Sequence, residues 1–222
     1  MLLKLAPRRG LDVAQMVTWN YLAASLLAWW FLRPSLGALR QPGAPWPELL
    51  ALAFVLPVLF LVLAAAVRHA GIVRTDVAQR LSLLLSLLAA FLLFGEQAGA
   101  QKLLGLALGL GAVAGILARP DAHAAPDRRG WLLLLAVWAG FAVVDVMLKR
   151  LAMAGTPSGA ALLVAFALAF AGMLAWQGWR WARHGVRPGL RHAGAGLLLG
   201  LLNFGNILFY VRAHQALPDS PA

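Results

Sequence analysis

Glu48-Leu49-Leu50-Ala51-Leu52-Ala53-Phe54-Val55-Leu56-Pro57-Val58-Leu59-Phe60-Leu61-Val62-Leu63-Ala64-Ala65-Ala66-Val67-Arg68 is an unbroken apolar run with a charge only at each end. A helix that crosses a bilayer needs about 20 predominantly apolar residues, so this run reads as a membrane span over 48–68. Pro57 lacks an amide hydrogen and is predicted to kink the helix.

Six further stretches have the same character: about 13–32, 75–95, 102–118, 130–151, 158–179 and 193–212. Breakers and charges fall between them, in Arg33-Pro34, Gln41-Pro42-Gly43, Arg119-Pro120-Asp121 and Arg187-Pro188-Gly189. The runs are too continuous for the alternating strands of a membrane barrel. Backbone groups in lipid must be satisfied within their own segment, which requires helices. The expected class is all-α: a polytopic membrane helix bundle of about seven transmembrane helices.

Composition agrees. Of 222 residues, 62% are hydrophobic and 12% charged, and a chain this short cannot hide that much apolar surface from water. The surplus faces lipid. The formal net charge of +11 would suggest nucleic acid in a soluble protein. Here the basic residues sit between apolar runs, as in loops that meet anionic headgroups, and nucleic acid is not an expected partner. Lys and Arg concentrate on the side holding the N-terminus and the loops near 70, 125 and 185, which the charge rule makes cytoplasmic. Trp29, Trp30, Trp131, Trp176, Trp179 and Trp181 lie at span ends and read as an aromatic belt.

The absence of cysteine excludes disulfides, thiolate metal sites and thiol nucleophiles. His69, His123, His184, His192 and His214 fall in loops or at helix ends, and none forms an HExxH pair. No metal site, catalytic residue or cofactor is expected. The start, Met1 to Arg9, turns basic too soon for a signal peptide and reads as the tail of a helix.

Leu2-Leu3-Lys4-Leu5-Ala6 resembles Met147-Leu148-Lys149-Arg150-Leu151-Ala152. Val67-Arg68 and the residues to Ala78 align without gaps to Val211-Arg212 and the residues to Ala222, and Leu27-Ala28-Trp29 answers Leu174-Ala175-Trp176. The common spacing is about 145 residues, the mark of an internal repeat. It divides the chain into a first repeat over 1–120, a connecting loop over 121–129 and a second repeat over 130–222. The first copy lacks most of its opening helix and the second lacks two closing helices. A complete protein would then be a ten-helix fold of two five-helix repeats. An odd number of helices per copy inverts one repeat against the other, as in secondary transporters.

Gln79-Arg80-Leu81-Ser82, then Phe94-Gly95-Glu96, then a helix with Gly105, Gly109, Gly111 and Gly115, resemble the fourth and fifth helices of EamA-type transporters of the drug/metabolite transporter superfamily. Lys4 and Lys149, closing the first helix of each copy, and Ala216-Leu217-Pro218 fit the same pattern. The resemblance implies two inverted five-helix repeats around a central cavity and transport of small metabolites. It names no substrate, and the chain departs from it in lacking helices one, nine and ten.

Polar residues inside the spans are candidates for the cavity. Asp145 and Lys149 stand four apart on one helix and can pair. They read either as a charged cavity wall, with Asp145 carrying a coupling proton, or as a structural pair with Lys149 reaching the headgroups. Asn203, Asn206 and Tyr210 share one helical stripe that Gly200 continues. That stripe suits substrate binding or interhelical hydrogen bonding equally. Arg80, flanked by Gln79 and Ser82, could hold an anion, or pair with Asp76 at the helix end. Asn20 and Tyr21 line the cavity or bond another helix; Glu96 reads as a turn residue; the Gly105/Gly109 and Gly111/Gly115 pairs read as packing positions.

The leading function is a secondary transporter of small organic metabolites, working as an exporter in a bacterial inner membrane, with the lipid bilayer, the substrate and protons as partners. The sequence leaves a homodimer open. Two alternatives stand beside it. One is a non-transporting membrane scaffold or truncated inactive product. The other is a polytopic lipid-modifying enzyme, for which no clustered Asp, His or Ser is visible.

Overall fold

The computed structural model describes residues 9–41, 43–94, 99–117 and 127–215. Among these residues the protein is all helical. The helices are α1 (Val13–Leu32), α2 (Trp46–Ala70), α3 (Ile72–Phe94), α4 (Ala100–Leu117), α5 (Arg128–Met153), α6 (Ser158–His184) and α7 (Leu190–Gln215), with a 3-10 turn at Gly37–Arg40. Each predicted span coincides with one helix. Lys4, Gly95, Glu96, His123 and Ala216-Leu217-Pro218 lie outside the described residues.

The helix ends follow from local chemistry. Asp12 caps α1, its Oδ1 accepting from the amides of Ala14 at 2.9 Å and Gln15 at 3.3 Å. At the end of α5, Gly155 adopts a left-handed φ of 76°. Its amide donates to Ala152 O and that of Thr156 to Leu151 O, each at 3.0 Å, which closes the helix as a Schellman turn. Gly185, with φ 65°, ends α6 by donating to Trp181 O at 2.9 Å. Helix α6 outruns its predicted end because Trp179, Arg180, Trp181 and Arg183 suit a headgroup region as well as they suit a helix. Pro57 sits within the unbroken span of α2.

Four helices are long and apolar enough to cross a membrane on their described residues: Trp46–Ala70, Arg128–Met153, Ser158–His184 and Leu190–Phe209. The chain is thus a polytopic helical membrane protein. Helix α1 carries Gln15, Thr18, Asn20 and Tyr21 in its first half, and its packing shows why they are tolerated. Ala14, Gln15, Met16, Val17, Thr18, Asn20, Tyr21, Ala23, Ala24 and Ala28 are all buried, so α1 meets protein over much of its surface.

The chain divides into two compact units, one over 62–147 and the other over 2–61 with 148–222. These are units of packing, a different partition from the two copies of sequence. In the larger unit α1 packs against α7 and α6. Its core joins Val17, Tyr21, Ala24 and Ala28 to Leu162, Phe166, Ala169, Met173 and Phe204. The 62–147 unit has its own core of Ala66, Ala70, Ala78, Leu134 and Val137.

Candidate functional site

Helix α1 crosses α7 at very short range. A Cβ on Gly200 would lie 2.6 Å from Ala23 Cβ and 2.7 Å from Asn20 O, and one on Gly196 would lie 2.5 Å from Met16 O. Only glycine fits at either position, and the four-residue spacing makes this a GxxxG crossing. At Gly200, which continues the Asn203–Asn206 stripe, the close neighbour is another helix. Around Gly105, Gly109 and Gly111, expected to pack helices, no described atom comes within 4 Å of such a Cβ.

On the same stretch of α1, Asn20 and Tyr21 are both fully buried. The Tyr21 ring stands between Phe60, edge-on at 6.0 Å, and Phe166 at 5.9 Å. Among the described residues, neither the Asn20 carboxamide nor the Tyr21 hydroxyl has a hydrogen-bond partner. Leaving a buried polar group unsatisfied costs about 1–3 kcal/mol, so these side chains are retained against a penalty.

At the start of α1, a polar network ties together three helix ends. Arg180 Nη2 donates to Asp12 Oδ2 at 2.7 Å and its Nη1 to Asp12 Oδ1 at 3.3 Å. Nη1 also reaches Gln177 Oε1 at 3.0 Å, Gln177 Nε2 donates to Thr18 Oγ1 at 3.4 Å, and the guanidinium lies over Trp176 at 5.4 Å. Gln15 Nε2 donates to Arg187 O at 3.1 Å, and its Oε1 accepts from the Gly189 amide at 3.0 Å. His192 Nδ1 accepts from the Asp12 amide at 3.2 Å. Burial pushes the Asp12 carboxyl up, but the hydrogen bonds and charge of Arg180, with the Gln15 and Ala14 amides, hold it below its ordinary value. None of these network residues stood out as a site in the sequence. Their partners are far off in the chain, and the one local signal is that Asp12 precedes an apolar run in the manner of a cap.

The 62–147 unit holds Asp145. Its Oδ2 accepts from Ser86 Oγ on α3 at 2.6 Å, and two turns earlier on α5 Trp138 Nε1 donates to Leu81 O at 3.0 Å. Lys149 is half-buried. Gln79 is half-buried, its carbonyl accepting from Ser82 Oγ at 2.6 Å. Arg80 Nε pairs with Asp76 Oδ2 at 2.8 Å, and both side chains are exposed. Asn203 is half-buried and Asn206 exposed, while the side chain of Tyr210 lies outside those described. A cleft of about 470 Å³ between α2 and α6 is lined by Leu50, Phe54, Pro57, Leu61, Gly172 and Trp176, among others, and by no charged residue among those described.

Among the described residues, an all-helical chain with several apolar spans defines a polytopic integral membrane protein. Residues 1–118 match the EamA-like transporter family, and the chain belongs to that family. It is also 34% identical over 230 residues to an uncharacterized protein of Haemophilus influenzae (strain ATCC 51907 / DSM 11121 / KW20 / Rd), an alignment covering all of this chain and 77% of the relative. No solved structure matches.

Proposed function

We propose that this protein is a secondary transporter that exports small organic metabolites across a bacterial inner membrane by alternating access, with protons as the coupling ion. Asp145 carries this reading. A carboxyl within a span costs about 2.5–3.5 kcal/mol on insertion scales, and such groups are kept where they act. Ser86, donating to Asp145 from a neighbouring helix, supplies a polar partner that can stay in place while a proton comes and goes. Family membership supports transport of small solutes as the class of activity.

The test is flux in proteoliposomes with an imposed pH gradient, across amino acids, nucleosides, sugars and organic cations. Accumulation of at least one class that collapses with the gradient is the expected result. No flux of any class, from vesicles shown to contain folded protein, would sink the proposal.

A further inference from the structure

In the larger unit, an ion pair at the start of α1 precedes two unsatisfied polar side chains on the same helix. Arg180 and Asp12 clasp the last turns of α6 to the start of α1. Asn20 and Tyr21 follow on the same helix, about 12–14 Å further along at 1.5 Å rise per residue. Buried polar groups are ordinarily satisfied. An orphaned carboxamide and phenol on consecutive residues of one helix therefore call for a partner that this arrangement does not supply.

We propose that the Asp12–Arg180 ion pair is a gate over the Asn20–Tyr21 pair, and that opening it admits a small uncharged polar solute bound by those two side chains. The carboxamide offers acceptor and donors and the phenol a further donor, so the solute carries both kinds of group. Phe60 and Phe166 beside Tyr21 would hold its flat or apolar portion.

The two kinds of contact around α1 differ in what can open. The Gly196–Gly200 crossing is steric and backbone to backbone, which holds α1 on α7. The ion pair is about a fifth exposed on each side, so water can replace its hydrogen bonds. Parting α6 from α1 is the movement that this difference favours. The inference rests on the transporter reading for its purpose, but its test needs no transport.

Because the chain has no cysteine, single cysteines report access without background. Asn20→Cys and Tyr21→Cys, each in the full chain in lipid vesicles, are labelled with a small hydrophilic methanethiosulfonate, with the gate intact or carrying Asp12→Asn or Arg180→Gln. Neutralising either partner is expected to speed labelling at both sites by about tenfold or more, as the open state gains population. The swap Asp12→Arg with Arg180→Asp is expected to restore slow labelling. Phe204→Cys, buried on α7, is the control and stays slow in every background. Rates at Asn20→Cys and Tyr21→Cys that agree within about twofold across backgrounds would overturn the gate. So would equal acceleration at Phe204→Cys, which marks the ion pair as a general staple. A protein that labels as expected but moves no solute would fail as a transporter and keep its gate; one that transports with uniform labelling would do the reverse.

Discussion

Arg180 grips Asp12 with two guanidinium nitrogens, Nη2 to Oδ2 at 2.7 Å and Nη1 to Oδ1 at 3.3 Å, across 168 positions of sequence. The same carboxylate caps α1, so one side chain ends a helix and fastens it to another.

These two roles can be separated by substitution. Asp12→Asn keeps a capping oxygen and loses the charge; Arg180→Gln removes the other partner. Each is expected to lower stability by about 1.5–3 kcal/mol, the worth of hydrogen bonds to charged groups. Asp12→Ala loses the cap as well and falls about 1 kcal/mol further. Thermal unfolding in detergent reads all three, and the Asp12→Asn, Arg180→Gln double variant should lose less than the sum.

The pair also sets a pH dependence. Asp12 is held below its ordinary 3.8 in the folded protein, so folding favours its ionised form. Its contribution is fully present above that ordinary value and is lost as pH falls through the lower folded value. Melting curves from neutral pH to strong acid should show a fall in stability that starts near pH 4, and Asp12→Asn should flatten part of it. An identical acid slope in the variant would remove Asp12 from the account.

The α1–α7 crossing predicts opposite signs for equivalent substitutions. Gly200→Ala and Gly196→Ala place a methyl within 2.7 Å of α1 atoms and should cost about 1–3 kcal/mol. Gly194→Ala, with nothing within 4 Å, should be neutral or stabilising by up to about 1 kcal/mol. Unfolding temperatures of the three variants in one detergent compare them directly.

Tyr21→Phe removes a hydroxyl that has no partner among the described residues. Stability should rise by about 1 kcal/mol as the desolvation penalty disappears. If Asn20 and Tyr21 bind solute behind the Asp12–Arg180 gate, solute affinity should fall in the same variant. A gain in melting temperature without loss of affinity would separate Tyr21 from binding.

Asp145→Asn removes the titrating group that the proposed proton coupling needs. Gradient-driven accumulation should be abolished while solute exchange across the vesicle membrane continues. Loss of both would assign Asp145 to binding or folding. Ser86→Ala, which deletes the hydrogen bond and leaves the carboxyl, should weaken accumulation less than Asp145→Asn does.

The helices were legible because each is set by its own residues. Apolar runs of span length, and the breakers between them, place α1 to α7 within a few positions of their ends. The pairing of Arg80 with Asp76 was equally accessible, as it needs only a four-residue spacing on one helix. Asp145 was recognisable as an acid inside a span. That Ser86 meets it was not, because the two stand on different helices 59 positions apart.

What the sequence by itself determined is the all-helical membrane architecture, since bilayer thickness and backbone hydrogen bonding act on each segment separately. Only the tertiary structure decided which face of each helix is inside. Asn20 and Tyr21 are buried without hydrogen-bond partners among the described residues, Asp12 meets Arg180 of α6, and Gly196 and Gly200 let α7 press against α1. Helix rotation is fixed by contacts between distant segments, and no single stretch of a chain so rich in Leu and Ala encodes it.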